Sequence, residues 1–265
     1  MNANVAESAS GPSWCSSPLP GALYRLIEDE SQREILTASD MEGFFRGVPE
    51  GDDAPSILMT GSTVSLESLP MRLYDIELQV IDSRKEVLAA YYIGEVEIVG
   101  GRPSGCIDRT DLEVDFSGYY FPFPYAGSVW RRWASGAPIL MGEWSELAVE
   151  WHSSWLHVVQ AAWFGSGRSA TRYGLKDLYV MDGSKVASVA SFYCALGEAV
   201  NGPGGYFGSG LDALEDCLVN ATAVAEDFKL SWRNFSMSER SLGVDEIEPI
   251  VALIRESGAQ VILSP

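Results

Sequence analysis

Basic side chains are scarce in this chain: 18 Lys and Arg stand against 37 Asp and Glu in 265 residues, a formal charge of −19. A surface of that sign repels nucleic-acid phosphates and anionic membranes, so neither is expected as a partner, and basic proteins are favoured. Histidine is scarcer still, with only His152 and His157. Five residues apart, they would not share a helix face as a metal-binding pair must. The four cysteines, Cys15, Cys106, Cys194 and Cys217, lack CxxC spacing, so neither a zinc site nor a disulfide framework is expected. Reduced thiols in a cytoplasmic protein fit that usage. No run reaches the ~18 to 20 apolar residues of a membrane span. The opening MNANVAESASGPSWCSSPLPG has neither the basic start nor the apolar run of an export signal. There is no GxSxG and no Walker loop, so the chain is expected to be no enzyme and to need no cofactor.

With 46% hydrophobic residues, the chain has ample material for a core. Residues 1–20, rich in Ser, Pro, Ala and Asn, read as a disordered arm. Residues 21–165 read as a β-rich domain of unassigned role. Ile76, Leu78 and Val80 alternate with polar residues, as do Val96 with Ile98, and Leu112, Val114 with Phe116. Turn clusters such as Gly100-Gly101-Arg102-Pro103 are expected to separate the strands and make the sheet antiparallel. In WSELAVEWHSSWLHVVQAAWF, Trp144, Leu147, Trp151, Trp155, Val158 and Ala162 recur every three or four residues, which predicts one amphipathic helix with a core-facing aromatic stripe. GSGRSATRYG has no apolar period, so residues 166–177 read as a linker.

Residues 178–265 form the last unit, with five basic and twelve acidic side chains. A short strand is expected at Leu178–Met181. A helix follows, capped by Ser188 and carrying Val189, Phe192, Leu196 and Val200 on one stripe. Asn201-Gly202-Pro203-Gly204-Gly205 must end it. In YFGSGLDALEDCLVN, Ser209 is expected to cap a second helix with Asp212 completing a capping-box-like pattern. At ~100° per residue, Leu211, Leu214, Cys217 and Leu218 point to one side and Asp212, Glu215 and Asp216 to the other. Acids early in a helix are favoured by its dipole, so a solvated face accounts for them without any partner. Beyond Glu226-Asp227, FKLSW predicts a strand, Asp245–Glu256 a helix and Val261–Leu263 a final buried strand. Strands joined by helical crossovers imply a small three-stranded parallel sheet packed with helices, an α/β unit after a β-rich α+β domain.

YVMDGSKVASVASF, YFGSGLDALEDCL, FKLSWRNF and IVALIRES with QVILS occur in an order and spacing that resemble the barstar family of ribonuclease inhibitors, over the C-terminal third only. The resemblance implies an immunity protein for a basic, secreted, barnase-like ribonuclease or a related toxin nuclease. In it, helix carboxylates occupy the site where the enzyme holds RNA phosphate. It implies that Asp216 is the central anchor with Asp212 beside it, that Tyr206 is an aromatic contact before the helix, and that Glu256 adds a peripheral salt link. The chain departs from the family at Glu215, where a tryptophan is usual, and at Asn220-Ala221, where Gly-Trp is usual. Those changes move binding from packing toward charge, and place Glu215 and Asn220 in the partner-binding set. The alternative is a non-catalytic binding module that turns the same fold to a non-nuclease partner.

Overall fold

The computed structural model describes residues 21–47, 56–105, 108–117, 119–167, 176–224 and 228–265. The arm at 1–20, most of the expected linker, Cys15, Cys106 and the Glu226-Asp227 pair lie outside the described residues. Seven strands come first: β1 (Tyr24–Glu28), β2 (Arg33–Ala38), β3 (Asp40–Glu42), β4 (Ile57–Ser62), β5 (Arg72–Ile81), β6 (Val87–Pro103) and β7 (Thr110–Asp115). They form one sheet in the order β2-β1-β5-β6-β7-β4-β3, antiparallel at every pairing. The alternating residues seen in the sequence, Ile76, Leu78, Val80, Val96, Ile98, Leu112 and Val114, all face the interior. The Gly100–Pro103 cluster does not separate strands. It lies inside β6, where a register shift between Ile98 and Gly100 absorbs the irregularity and pairing with β7 continues to Pro103.

Two helices cover this sheet, α1 (Ala126–Ala134) and α2 (His152–Gly165). The aromatic stripe is core packing, with Trp144, Trp151 and Trp155 buried, but it is not one helix. Leu147 and Ala148 are extended (ψ 158° and 151°), so two 3-10 turns at Glu143–Glu146 and Val149–Trp151 lead into α2 at His152. A three-residue 3-10 repeat and a 3.6-residue α repeat place the same tryptophans inward, which is why periodicity alone merged them. Both histidines are buried on or at the start of α2. Among the described residues no cluster of His, Cys, Asp and Glu could hold a metal ion.

His157 belongs to a buried polar chain. The Trp130 indole donates to the Tyr91 hydroxyl (3.1 Å), which shares a hydrogen bond with Nε2 of His157 (3.0 Å). Phe123 stacks on the imidazole at 4.2 Å. Burial depresses the His157 pKa to about 4 and also lowers that of His152. The unfolded chain therefore takes up a proton below pH 6.5 that the folded chain refuses until about pH 4. The His157 contribution to stability is constant above pH 6.5 and is lost as the pH drops through that window, ~3 kcal/mol for a shift of this size acting alone. Urea unfolding between pH 7 and pH 4 is expected to show this acid limb, and His157→Phe to flatten it.

The C-terminal unit contains β8 (Tyr179–Asp182), α3 (Val189–Asn201), α4 (Leu211–Val224), β9 (Lys229–Arg233), α5 (Phe235–Leu242), α6 (Val244–Glu256) and β10 (Gln260–Leu263). Its three strands form a parallel sheet in the order β10-β9-β8. Tyr179, Met181, Leu230 and Trp232 point to the helices. β10 is an edge strand with every second residue exposed, Ile262 by half, rather than the buried strand its apolar run suggests. α2 packs on β6 with one side and on α3 with another, so both sheets share an apolar interior through it. No helix among the described residues is long and apolar enough to cross a membrane.

Candidate functional site: the acidic face of α4

The approach to α4 is fixed from behind. Ser188 caps α3 in a reciprocal capping box with Ser191, and the chain leaves that helix at Gly202 with φ +79°. The turn folds back on α3 so closely that Gly205 donates to the Gly202 carbonyl (2.8 Å) while the buried Asn201 amide donates to the Tyr206 carbonyl (2.6 Å). Gly204, at φ +61°, lies against Trp133 and Pro138 of the β-rich part, where an added Cβ would press on both rings at 3.0 to 3.2 Å.

Glu198 ties the two parts together. It is buried on α3, and its carboxylate accepts from the backbone N–H of Gly142 (2.6 Å) and of Gly204 (3.3 Å). Burial raises its pKa, and the two N–H groups oppose that rise. One acid among the apolar residues of VASFYCALGEAVN is its signal in the sequence.

α4 divides its residues as its periodicity demands. Leu214, Cys217, Leu218 and Ala221 are buried, and burial raises the Cys217 thiol to about 11. Asp212, Glu215, Asp216 and Asn220 are exposed. Leu211, expected on the core side, is 42% exposed, because the buried arc is centred on Leu214 and Ala221 rather than on the first turn. Val219 is 56% exposed and lies by helical angle in the middle of the acids, an apolar spot the sequence reading did not single out. Among the described residues no ion pair involves Asp212, Glu215 or Asp216. By contrast, arginines of the β-rich part are matched with acids there, Arg132 with Glu143, Arg131 with Asp40 and Arg72 with Glu95 and Glu97. The Asn220 amide donates back to the Asp216 carbonyl (2.8 Å).

Ser209 does not cap α4. The helix begins at Leu211, its first carbonyl acceptor is that of Gly210, and the Ser209 hydroxyl instead meets the Tyr206 hydroxyl at 3.3 Å. Tyr206 itself is only 3% exposed. Its ring lies 5.6 Å from Phe164 and 6.3 Å from Trp163, both at the end of α2. Burial raises the Tyr206 pKa, and the Ser209 hydroxyl opposes the rise. Glu256 is exposed in the last residue of α6, a helix that packs against α4. Four exposed sites therefore lie on α4 and a fifth on α6, while Tyr206 is under α2.

Such a face holds several uncompensated carboxylates at low conformational cost, and offers a cation-rich concave surface what a row of phosphates would offer. No curated protein matches the chain. Residues 177–261, the C-terminal third that carries this face, match the family model described as Barstar (barnase inhibitor).

Proposed function

We propose that the protein is a non-catalytic inhibitor, an immunity protein, of a basic guanyl-type ribonuclease inside the producing cell. The carboxylates of Asp216 and Asp212 enter the enzyme's anion site in place of RNA phosphate, Glu215 extends the charge, and Glu256 makes a link at the periphery. The observation that carries this reading is the trio of exposed acids on α4, without an ion pair among the described residues, within the region similar to barnase inhibitors. Two neighbouring like charges four apart repel by a few tenths of a kcal/mol in the free protein, and a cationic cleft reverses the sign of that term. No step in this function makes or breaks a covalent bond.

The test is titration of a barnase-type ribonuclease with the full chain, following RNA cleavage and association rate at about 0.1 M and 1 M salt. The Debye length shrinks from ~10 Å to ~3 Å over that range. The expected result is stoichiometric inhibition, with an association rate that falls at least ~10-fold at the higher salt. Undiminished cleavage at equimolar inhibitor would sink the reading. The burial of Tyr206 supports a second reading, a binding module for a basic protein that is not a nuclease. It predicts binding without loss of RNA cleavage.

A further inference from the structure

Phe164 is the last aromatic of α2, and its side chain is 64% exposed although the neighbouring Trp163 is buried. It is not loose. Its ring rests on Tyr206 at 5.6 Å and 59°, and Tyr206 is held by Ser209 on its other side. Successive α4 residues are separated by ~100°, so the exposed arc runs Leu211, Glu215, Val219, Asp212, Asp216, Asn220. Cys217 belongs to the buried arc beyond Asn220. Tyr206 meets Ser209 two residues before α4 begins, so Phe164, resting on Tyr206, borders the entry to that helix.

We propose that the partner-binding surface crosses from α4 onto the β-rich part, with Phe164 as its aromatic contact beside the entry to α4. This rests on the ribonuclease reading above. The occupant is the cationic cleft of the basic enzyme: its floor takes the carboxylates, and an arginine or lysine on its rim lies over the Phe164 ring. Aromatic faces attract such cations, and a ring already fixed against Tyr206 loses little rotamer freedom on binding. The β-rich part thus buries one aromatic, Tyr206, and presents another in front of it. Of the exposed apolar groups near the acids, Leu211 and Val219 lie on α4 itself and Phe164 beside its entry.

The experiment uses the full chain and a barnase-type ribonuclease, with isothermal titration of Phe164→Ala, Phe164→Trp and Asp216→Ala. Phe164→Ala is expected to weaken binding about 10-fold, the scale of one well-placed interface aromatic, while Phe164→Trp retains or improves it. Urea midpoints within error of the parent establish that any loss is at the interface. If Asp216→Ala weakens binding and Phe164→Ala does not, this proposal is overturned and the inhibitor reading stands. If the parent chain fails to bind the enzyme, the inhibitor reading falls and this proposal with it.

Discussion

Asp216→Ala is expected to weaken ribonuclease binding by 30-fold or more, about 2 kcal/mol, the level at which a residue counts as dominating an interface. The same substitution is expected to leave folding stability unchanged or slightly higher. The two expectations have one origin. Asp216 is exposed, makes no ion pair among the described residues, and has Asp212 one turn before it and Glu215 beside it. Its removal relieves a repulsion of about a few tenths of a kcal/mol in the free protein. Alanine is also the better helix former. The Asn220 amide bonds to the backbone carbonyl of residue 216 and not to its side chain, so that link survives the change. A carboxylate kept for folding would behave in the opposite way, losing stability with no effect on binding. Asp216→Lys should go further, since a like charge placed inside a cationic cleft opposes association outright. The slope of log Kd against log salt should flatten in both variants. Paired calorimetry and urea denaturation on the same preparations check all of this, and an unchanged Kd for Asp216→Ala would remove the proposed anchor.

How far these features were legible depends on which interaction sets each of them. The exposed and buried arcs of α4 follow from spacing alone, because Leu214, Cys217 and Leu218 carry the apolar stripe and leave the acids outside. The antiparallel strands of the β-rich part follow in the same way from two-residue alternation at Ile76–Val80 and Leu112–Val114. Elements without a period of their own were lost. α5 was not expected at all: it starts after Asn234 turns the chain at φ +53°, and its one fully buried side chain is Ser238. Ser238 accepts from the Trp232 indole (3.0 Å) and donates to the Gly183 carbonyl (3.1 Å), partners six and fifty-five residues away. A buried serine satisfied by distant groups looks like any surface serine in a sequence. Tyr206 shows the same limit. Its place before α4 is a local matter, but its burial is decided by Trp163 and Phe164 some forty residues upstream. Glu198 and Gly142 are a further instance, with fifty-six residues between donor and acceptor. Local periodicity reports what one element needs, and the contacts that shape the border of the acidic face are all between elements.

Gly197→Ala puts that distinction to a test in which the two levels of reasoning disagree in sign. Helix propensity alone predicts a gain of ~1 kcal/mol, since Gly197 lies inside α3 and alanine is the best helix former. The packing predicts a loss. A Cβ on residue 197 would collide with the carbonyl oxygen of Gly205 and approach its carbonyl carbon to 3.0 Å and the Phe207 nitrogen to 3.2 Å. All three are backbone atoms, so no side chain can rotate aside. Gly205 is packed as tightly from its own side, its Cβ position lying within 2.7 Å of the Asn201 side chain and of the Gly197 and Gly202 carbonyls. Overpacking a filled interior costs ~1 to 3 kcal/mol, more where backbone must shift, and here it outweighs the propensity gain. The net expectation is a loss of ~2 kcal/mol in urea denaturation, with Gly210→Ala, where the added Cβ meets nothing within 4 Å, staying near the parent. Displacing residues 205–207 also shifts Tyr206 and the entry to α4, so Gly197→Ala should weaken ribonuclease binding although the glycine is remote from the exposed carboxylates. Unchanged binding together with the stability loss would mean that the position of the acidic face is fixed by α4 and α6 alone. A gain in stability would mean that the loop yields where the surrounding backbone contacts say it should not.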